Sequence, residues 1–248
     1  MKVVGIIPSR YCSTRFPGKP LSMIKGKTMI RRVCEQAWKS KLDAVVVATD
    51  DMRIAEEVLS FGGQYVLTNP NHPTGTDRCR EALDMLENHY DAVVNIQGDE
   101  PFIQASQIET LCRLFDNPST QIATLGKRFE SMEAVLNPNS PKIVCDINGF
   151  ALYFSRSVIP FIRGIDSQEW FGHFPFLKHL GIYAYRREVL SEITRLPQSP
   201  LEQAESLEQL RWLQNGYRIR VGETDVETVG IDTPDDLQRA EQFLRTLK

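Results

Sequence analysis

Residues 9–20 read Ser-Arg-Tyr-Cys-Ser-Thr-Arg-Phe-Pro-Gly-Lys-Pro. The segment brings Arg10, Arg15 and Lys19 together with the hydroxyls of Ser13 and Thr14 and one glycine, and it has no carboxylate. A guanidinium grips phosphate oxygens two at a time, and an ammonium supplies a compact point charge. Gly18 has no Cβ to hold backbone amides away from an anion. This is chemistry for a polyphosphate. The segment is neither G-x-G-x-x-G nor a P-loop, which argues against a dinucleotide fold and a P-loop kinase. An exposed basic loop is the plainer alternative. Three cations within ten residues, directly after an apolar run, favour a ligand.

A second candidate is Gln97-Gly98-Asp99-Glu100-Pro101, which also follows an apolar run. An aspartate there points into a cleft, and beside a phosphate loop its task is to hold Mg²⁺. A turn capped by aspartate is the structural alternative. Asp232 precedes Thr233-Pro234. Thr233 already supplies a helix cap, so Asp232 is open to face the same metal, although aspartates before helices are common at surfaces. Thr74-Gly75-Thr76-Asp77-Arg78 puts hydroxyls and an arginine at a helix N-terminus, which suits a base edge or a phosphate. Capping by Thr76, with Asp77 favoured by the helix dipole, would explain the same residues. His179 lies in Lys178-His179-Leu180-Gly181-Ile182-Tyr183, where a satisfied structural histidine is an equal reading. Glu208 falls in the apolar stripe of an expected helix and needs a partner or a ligand hydroxyl there. Cys12 has no His and Asn constellation to make it a nucleophile.

These groups need elements to place them. Val3 to Pro8, Ala44 to Ala48 and Ala92 to Ile96 read as buried parallel strands, and Gln64 to Leu67 as a short one. Helices are expected over Thr28 to Lys41, from the Asp51 cap to Gly62-Gly63, over Thr76 to His89 and over Gln104 to Phe115. The alternation implies a mostly parallel sheet with helices on both faces. In such sheets ligands bind outside the carboxyl ends of the strands, where the candidate loops fall. The rhythm then changes. Ile143 to Cys145 and Ala151 to Phe154 flank Asn148-Gly149, a hairpin signal. Leu180 to Tyr185 is a further strand, and residues 125–200 are expected to form an antiparallel insertion. A helix over Leu201 to Gln214, a strand over Tyr217 to Val221 and a final helix from Thr233 complete the chain.

The 248 residues suit one large domain, or a core with a subdomain, able to bury its own core. A hydrophobic fraction of 42% with 25% charged residues argues against disorder and coiled coil. No apolar run reaches the roughly 18 residues of a membrane span. The run Val3 to Ile7 is too short for a secretory core. Five scattered cysteines form no C-x-x-C pair, so no disulfide framework or zinc site is implied, and a reducing cytoplasm is expected. Residues 1–34 hold eight Lys and Arg and no acid, on a chain of net charge −3. A basic stretch on an acidic body suggests a small polyanion rather than nucleic acid.

The segments IIPSRYCSTRFPGKPL, TGTDR, NIQGDEP, ALYFSR, KHLGIYAYR, SPLEQAESLEQLR and GIDTPDDL resemble the 3-deoxy-manno-octulosonate cytidylyltransferase family in order and spacing. The resemblance covers essentially the whole chain. It departs from the family at Ser9 and Cys12, where alanine is usual, at Phe16, where leucine is usual, and at Lys127-Arg128, a normally more apolar stretch.

The resemblance implies a single doubly wound α/β domain of nucleotidyltransferase, Rossmann-like type over residues 1–248. The antiparallel part, about 125–200, would be the dimerisation subdomain of a homodimer. It implies transfer of CMP from CTP to the anomeric hydroxyl of 3-deoxy-D-manno-octulosonate (Kdo), for lipopolysaccharide biosynthesis. Arg10, Ser13, Thr14, Arg15 and Lys19 would hold the triphosphate. Thr74, Thr76, Arg78 and Gln97 would read cytosine and ribose. Asp99 and Asp232 would coordinate Mg²⁺. Arg156, His179, Tyr183, Glu208 and Gln209 would bind the sugar. Two alternatives stand beside this. One is a related acidic sugar, 8-amino-Kdo or sialic acid; the other is a non-catalytic nucleotide-binding protein of the same fold.

Overall fold

The computed structural model describes residues 1–12, 16–227, 230, 231 and 233–239. Ser13, Thr14, Arg15 and Asp232 therefore lie outside the described residues. In chain order the elements begin with β1 (Val3–Ser9), a 3₁₀ turn (Lys19–Leu21), β2 (Met23–Ile24) and β3 (Lys27–Thr28). There follow α1 (Met29–Ala37), β4 (Ala44–Thr49), α2 (Met52–Ser60), β5 (Gln64–Leu67), α3 (Gly75–Met85), β6 (Ala92–Asn95) and α4 (Ala105–Leu114). Next come β7 (Ile122–Arg128), α5 (Met132–Leu136), β8 (Lys142–Cys145), β9 (Ala151–Ser155), α6 (Trp170–His173), β10 (Leu177–Arg186) and α7 (Arg187–Ile193). The last are α8 (Pro200–Glu205), α9 (Gln209–Gln214) and β11 (Ile219–Glu223). Residues 234–239 are helical. The chain divides into two compact units. One is Met1–Glu109, Arg186–Thr194 and Thr228–Lys248; the other is Thr110–Tyr185 and Arg195–Glu227. No helix among the described residues is long and apolar enough to cross a membrane.

In the first unit the strands run β6-β1-β4-β5, and every pairing is parallel. All of β1 is buried except the half-buried Pro8, as a strand covered on both faces should be. Each of β4, β5 and β6 leads into a helix, so the loops and helix N-termini gather at one edge of the sheet. The Asp51 side chain accepts the Arg53 N–H at the start of α2. The cap of α3 is Thr74 and not Thr76. Thr74 is extended, its Oγ1 accepts the Asp77 N–H at 3.2 Å, and it donates to Asp77 Oδ2 at 2.7 Å. Thr76 is already helical and buried, so it cannot cap. At the far end of the chain Thr233 Oγ1 accepts the Asp236 N–H, the expected cap. Ile231 packs with Ile24 and Met29, and its N–H donates to the Asp99 carbonyl at 2.9 Å. That bond ties the C-terminal segment to the loop after β6.

In the second unit β7 pairs with β11 in parallel and with β10 antiparallel, and β8 and β9 form an antiparallel hairpin. β7 was not expected as a strand. Its apolar residues are interrupted by Gly126 and Lys127, and the buried Lys127 is matched by Glu130 and Glu227. The helix expected over Leu201 to Gln214 is two helices, parted at Ser206 with φ of 51°. Arg156 satisfies the carbonyls that the break leaves open. Its Nε donates to the Glu205 carbonyl at 2.6 Å and its Nη2 to the Ser206 carbonyl at 3.3 Å. A continuous helix would have offered those carbonyls to the N–H groups of residues 209 and 210. The strand expected over Tyr217 to Val221 runs from Ile219 to Glu223.

Ser199 and Glu202 form a complete capping box at the start of α8, the helix whose end leads to Glu208. Ser199→Ala is expected to cost about 1 kcal/mol. Thermal denaturation should then show a melting point lower by about 2–4 °C. An unchanged melting point would mean the box contributes nothing.

Candidate active site

A cleft of about 200 Å³ lies at the carboxyl edge of the first unit, where ligands of open α/β sheets bind. Three loops build it. The end of β1 supplies Ser9 and Arg10, the end of β6 supplies Gln97, Gly98 and Asp99, and the start of α3 supplies Thr74, Gly75 and Arg78. Lys19 reaches in from the 3₁₀ turn, and its Nζ stands 2.8 Å from Asp99 Oδ2. The loops can approach because two positions lack a Cβ. A Cβ on Gly98 would fall 2.7 Å from Ser9 Oγ, and one on Gly75 would fall 3.2 Å from Pro8.

Lys19 is set in place by its own loop. Gly18, at φ of 70°, donates its N–H to the Tyr11 carbonyl at 2.9 Å. The Tyr11 ring lies beneath it, and the Arg53 guanidinium sits 3.3 Å from the centre of that ring. Arg53 in turn holds both carboxylate oxygens of Asp51. Arg78 is almost wholly buried, with Nη1 2.6 Å from Thr68 Oγ1 and Nη2 3.3 Å from Asp50 Oδ2. Gln97 Nε2 donates to Asn95 Oδ1 at 3.0 Å.

Of the residues singled out by sequence for phosphate, base and metal, the cleft brings together Arg10, Lys19, Thr74, Arg78, Gln97 and Asp99. Thr76 is buried in α3 and does not line it. The sequence reasoning passed over His72, which lines the same cleft with its Nε2 against Glu81 Oε2. Burial alone would raise the Glu81 carboxyl, but His72 and the Asn69 N–H hold it below its usual range. Asp50 and Thr68 were also missed. Both directly follow parallel strands, and that position was the available signal.

The residues expected to bind the sugar lie in the second unit. His179 and Tyr183 are on β10, on either side of a register shift between Leu180 and Tyr183. The buried Thr124 hydroxyl fills that irregularity. It donates to the Ile182 carbonyl at 2.8 Å and lies 3.2 Å from His179 Nε2. With its one proton given away, the hydroxyl accepts from His179, which fixes the Nε2–H tautomer. The His179 and Tyr183 rings are 5.3 Å apart, and Tyr183 packs edge-on against Trp212. Burial pushes the Tyr183 phenol well above its usual value, with Tyr185 and Glu208 acting in the same direction. Glu208 is at the start of α9, not within a continuous apolar stripe, and it faces Arg211 Nη2 at 3.5 Å. Gln209 is buried, and its Nε2 has no partner among the described residues. Arg156 gives its N–H groups to the carbonyls of Pro138, Glu205 and Ser206, so it holds the α8–α9 connection.

A parallel sheet carrying a cation-lined cleft on its carboxyl edge defines an α/β nucleotide-binding protein. The cytidylyltransferase family profile matches residues 4–219. A 3-deoxy-manno-octulosonate cytidylyltransferase of Parabacteroides distasonis is 58% identical over 98% of this chain and 98% of its own. That of Bacteroides thetaiotaomicron is 59% identical over 99% of each. A solved structure of CMP:2-keto-3-deoxy-manno-octonic acid synthetase complexed with CTP matches with a TM-score of 0.93 at 42% identity, covering 100% of both chains. The chain belongs to the 3-deoxy-manno-octulosonate cytidylyltransferase family.

Burial lowers His179 from its ordinary value of about 6.5 to about 3, so the folded protein keeps it neutral. The unfolded chain binds a proton there between those two values, so folding stability is lost as pH falls from about 6.5 toward 3. His179→Gln should remove that contribution, flattening stability against pH by up to about 1.4 kcal/mol per pH unit in urea denaturation. Parallel curves for the two proteins would show that the imidazole titrates normally.

Proposed function

We propose that the chain transfers CMP from CTP to the anomeric hydroxyl of Kdo, releasing pyrophosphate and supplying CMP-Kdo for lipopolysaccharide biosynthesis. The observation that carries this reading is Lys19 paired with Asp99 inside a cleft that Arg10 and Arg78 also line. Relatives named for this reaction span nearly the whole chain, which supports the same substrates.

Arg10 and Lys19 hold the triphosphate, with Ser13, Thr14 and Arg15 of the same loop assigned to it by resemblance. Arg78, Gln97 and Thr74 take cytosine and ribose. The sugar hydroxyl attacks the α-phosphorus in line and releases its proton to solvent, and the bond from that phosphorus to the β-phosphate bridging oxygen breaks. The electron pair leaves with pyrophosphate, whose growing charge Lys19 and Arg10 neutralise. On the sugar side, neutral His179, Tyr183 and Glu208 offer hydrogen bonds to hydroxyls. Gln209 Nε2 is a buried donor that a ligand oxygen would satisfy. Arg156 is assigned to the same subsite by resemblance.

Mg²⁺ fits Asp99, a hard oxygen donor in a cleft built for phosphate. Among the described residues no cluster of three or more His, Cys, Asp or Glu could cage a metal. Mg²⁺ is commonly held by one or two carboxylates together with substrate phosphates. Asp99 and Asp232 would hold it, and when bound it would neutralise charge on the phosphates. A homodimer is assigned by resemblance, and the exposed Ile147, Leu152, Phe161 and Phe171 of the second unit are candidates for its interface. A cytoplasmic location fits the reaction's nucleotide substrate.

The test is pyrophosphate release with Mg²⁺, crossing CTP, UTP, ATP and GTP against Kdo, 8-amino-Kdo and sialic acid. Release with CTP and Kdo alone is expected, and EDTA should abolish it until Mg²⁺ is returned. Release with another sugar only would replace the acceptor, and silence from folded protein would sink the enzymatic reading. Asp99→Asn is expected to lower kcat by about 10²–10³-fold with the melting point nearly unchanged. Turnover near the parent's rate would remove Asp99 from the metal.

A further inference from the structure

Arg78 is the most deeply buried cation of the cleft, with 4% of its side chain exposed. A guanidinium so far from water needs acceptors that hold it in one rotamer. Two side chains supply them, and neither lines the cleft. Thr68 Oγ1 accepts from Nη1 at 2.6 Å, and Asp50 Oδ2 accepts from Nη2 at 3.3 Å.

The geometry limits what each partner can do. Thr68 donates its hydroxyl proton to the Thr49 carbonyl at 3.2 Å, and its backbone N–H reaches the same oxygen at 2.8 Å. Both capacities of the hydroxyl used here face the protein, so Thr68 is turned toward Arg78 and not toward a ligand. Asp50 follows β4 directly, and its side chain is 12% exposed. Its second oxygen, Oδ1, is buried and has no partner among the described residues. A half-satisfied buried carboxylate is a poor device for stability. Among the described residues its charged contact is Arg78. The two contacts use two of the five guanidinium donors and leave the others for the cleft.

We propose that Asp50 and Thr68 are positioning residues that aim Arg78 at the nucleotide. The inference rests on the reading of Arg78 as a nucleotide contact. Thr68 fixes the rotamer through a charged hydrogen bond, and Asp50 balances the charge at the cleft wall. Loss of either lets the guanidinium swing, which weakens CTP without touching the sugar subsite.

The test uses the full chain and four variants. Thr68→Val keeps the shape and removes the acceptor, Thr68→Ser restores it, Asp50→Asn removes the charge, and Arg78→Gln removes the contact itself. KM for CTP and for Kdo, kcat and melting point are measured for each, with CTP affinity read by calorimetry. Thr68→Val and Asp50→Asn should raise KM for CTP about tenfold or more and leave KM for Kdo unmoved. Thr68→Ser should behave as the parent. A KM for CTP unchanged in Thr68→Val, whatever happens to its melting point, overturns the positioning role. Arg78→Gln separates the two ideas. If it raises KM for CTP while Thr68→Val and Asp50→Asn do not, positioning alone fails. If Arg78→Gln leaves KM for CTP unmoved, the nucleotide contact itself fails. Should Asp50→Asn not fold, the threonine pair carries the result.

Discussion

Lys19 Nζ and Asp99 Oδ2 meet at 2.8 Å although eighty positions separate them in the chain. The contact exists because β1 and β6 are parallel neighbours, so the loops that leave them emerge side by side. A parallel pairing cannot scatter its loop ends; it delivers them to one edge. Charge gathered there is oriented before any ligand arrives, which is the condition under which electrostatic stabilisation needs no reorganisation. Much else serves this contact. Gly98 lets the β6 loop close onto Ser9, and Gly18 with Tyr11 fixes the turn that carries Lys19. The bond from Ile231 to the Asp99 carbonyl holds the loop from its other side.

The two sets of candidate residues differ in their electrostatic design. In the cleft of the first unit, Lys19 and Arg78 each face a carboxylate, in Asp99 and Asp50. Such a surface suits an anion brought with a counter-ion. The second unit instead keeps His179 neutral by burial, with the Tyr183 phenol and the Thr124 hydroxyl beside it. Neutral donors and acceptors suit the hydroxyls of a sugar. Charge enters that set through Arg156 and Glu208, the latter facing the buried Arg211, which Glu202 also holds.

The parallel half of the fold was largely legible, and the reason is physical. Val3 to Pro8 is a continuous apolar run and Ala92 to Ile96 is broken by Asn95 alone, as befits strands covered on both faces. The loops carrying Arg10, Lys19 and Asp99 followed from where those runs stop. What escaped depended on partners distant in sequence. β7 contains Lys127, whose burial makes sense only beside Glu130 and Glu227. The break at Ser206 is held by Arg156, fifty positions earlier. No periodicity within 201–214 announces it. Thr76 and Thr74 were interchanged as caps because both are threonines and only the backbone angle tells them apart. Thr124, Asp50 and Thr68 act on other side chains, and a linear pattern has no mark for that.

The stitch between Gly18 and Tyr11 has an evolutionary side. Arg10 precedes the stitched ends and Lys19 follows them. The six positions between are joined to the body through an anchor that does not depend on their number. Lengthening a closed loop costs only about 0.6 kcal/mol per doubling. Stability alone therefore leaves the length of this stretch some latitude, but the triphosphate role assigned to Ser13, Thr14 and Arg15 does not. Gly18 has no such latitude, since its left-handed backbone and the ring beneath it both refuse a side chain. The loop thus closes on a single position, Gly18, where the backbone itself sets the limit, while the positions before it are limited by the ligand.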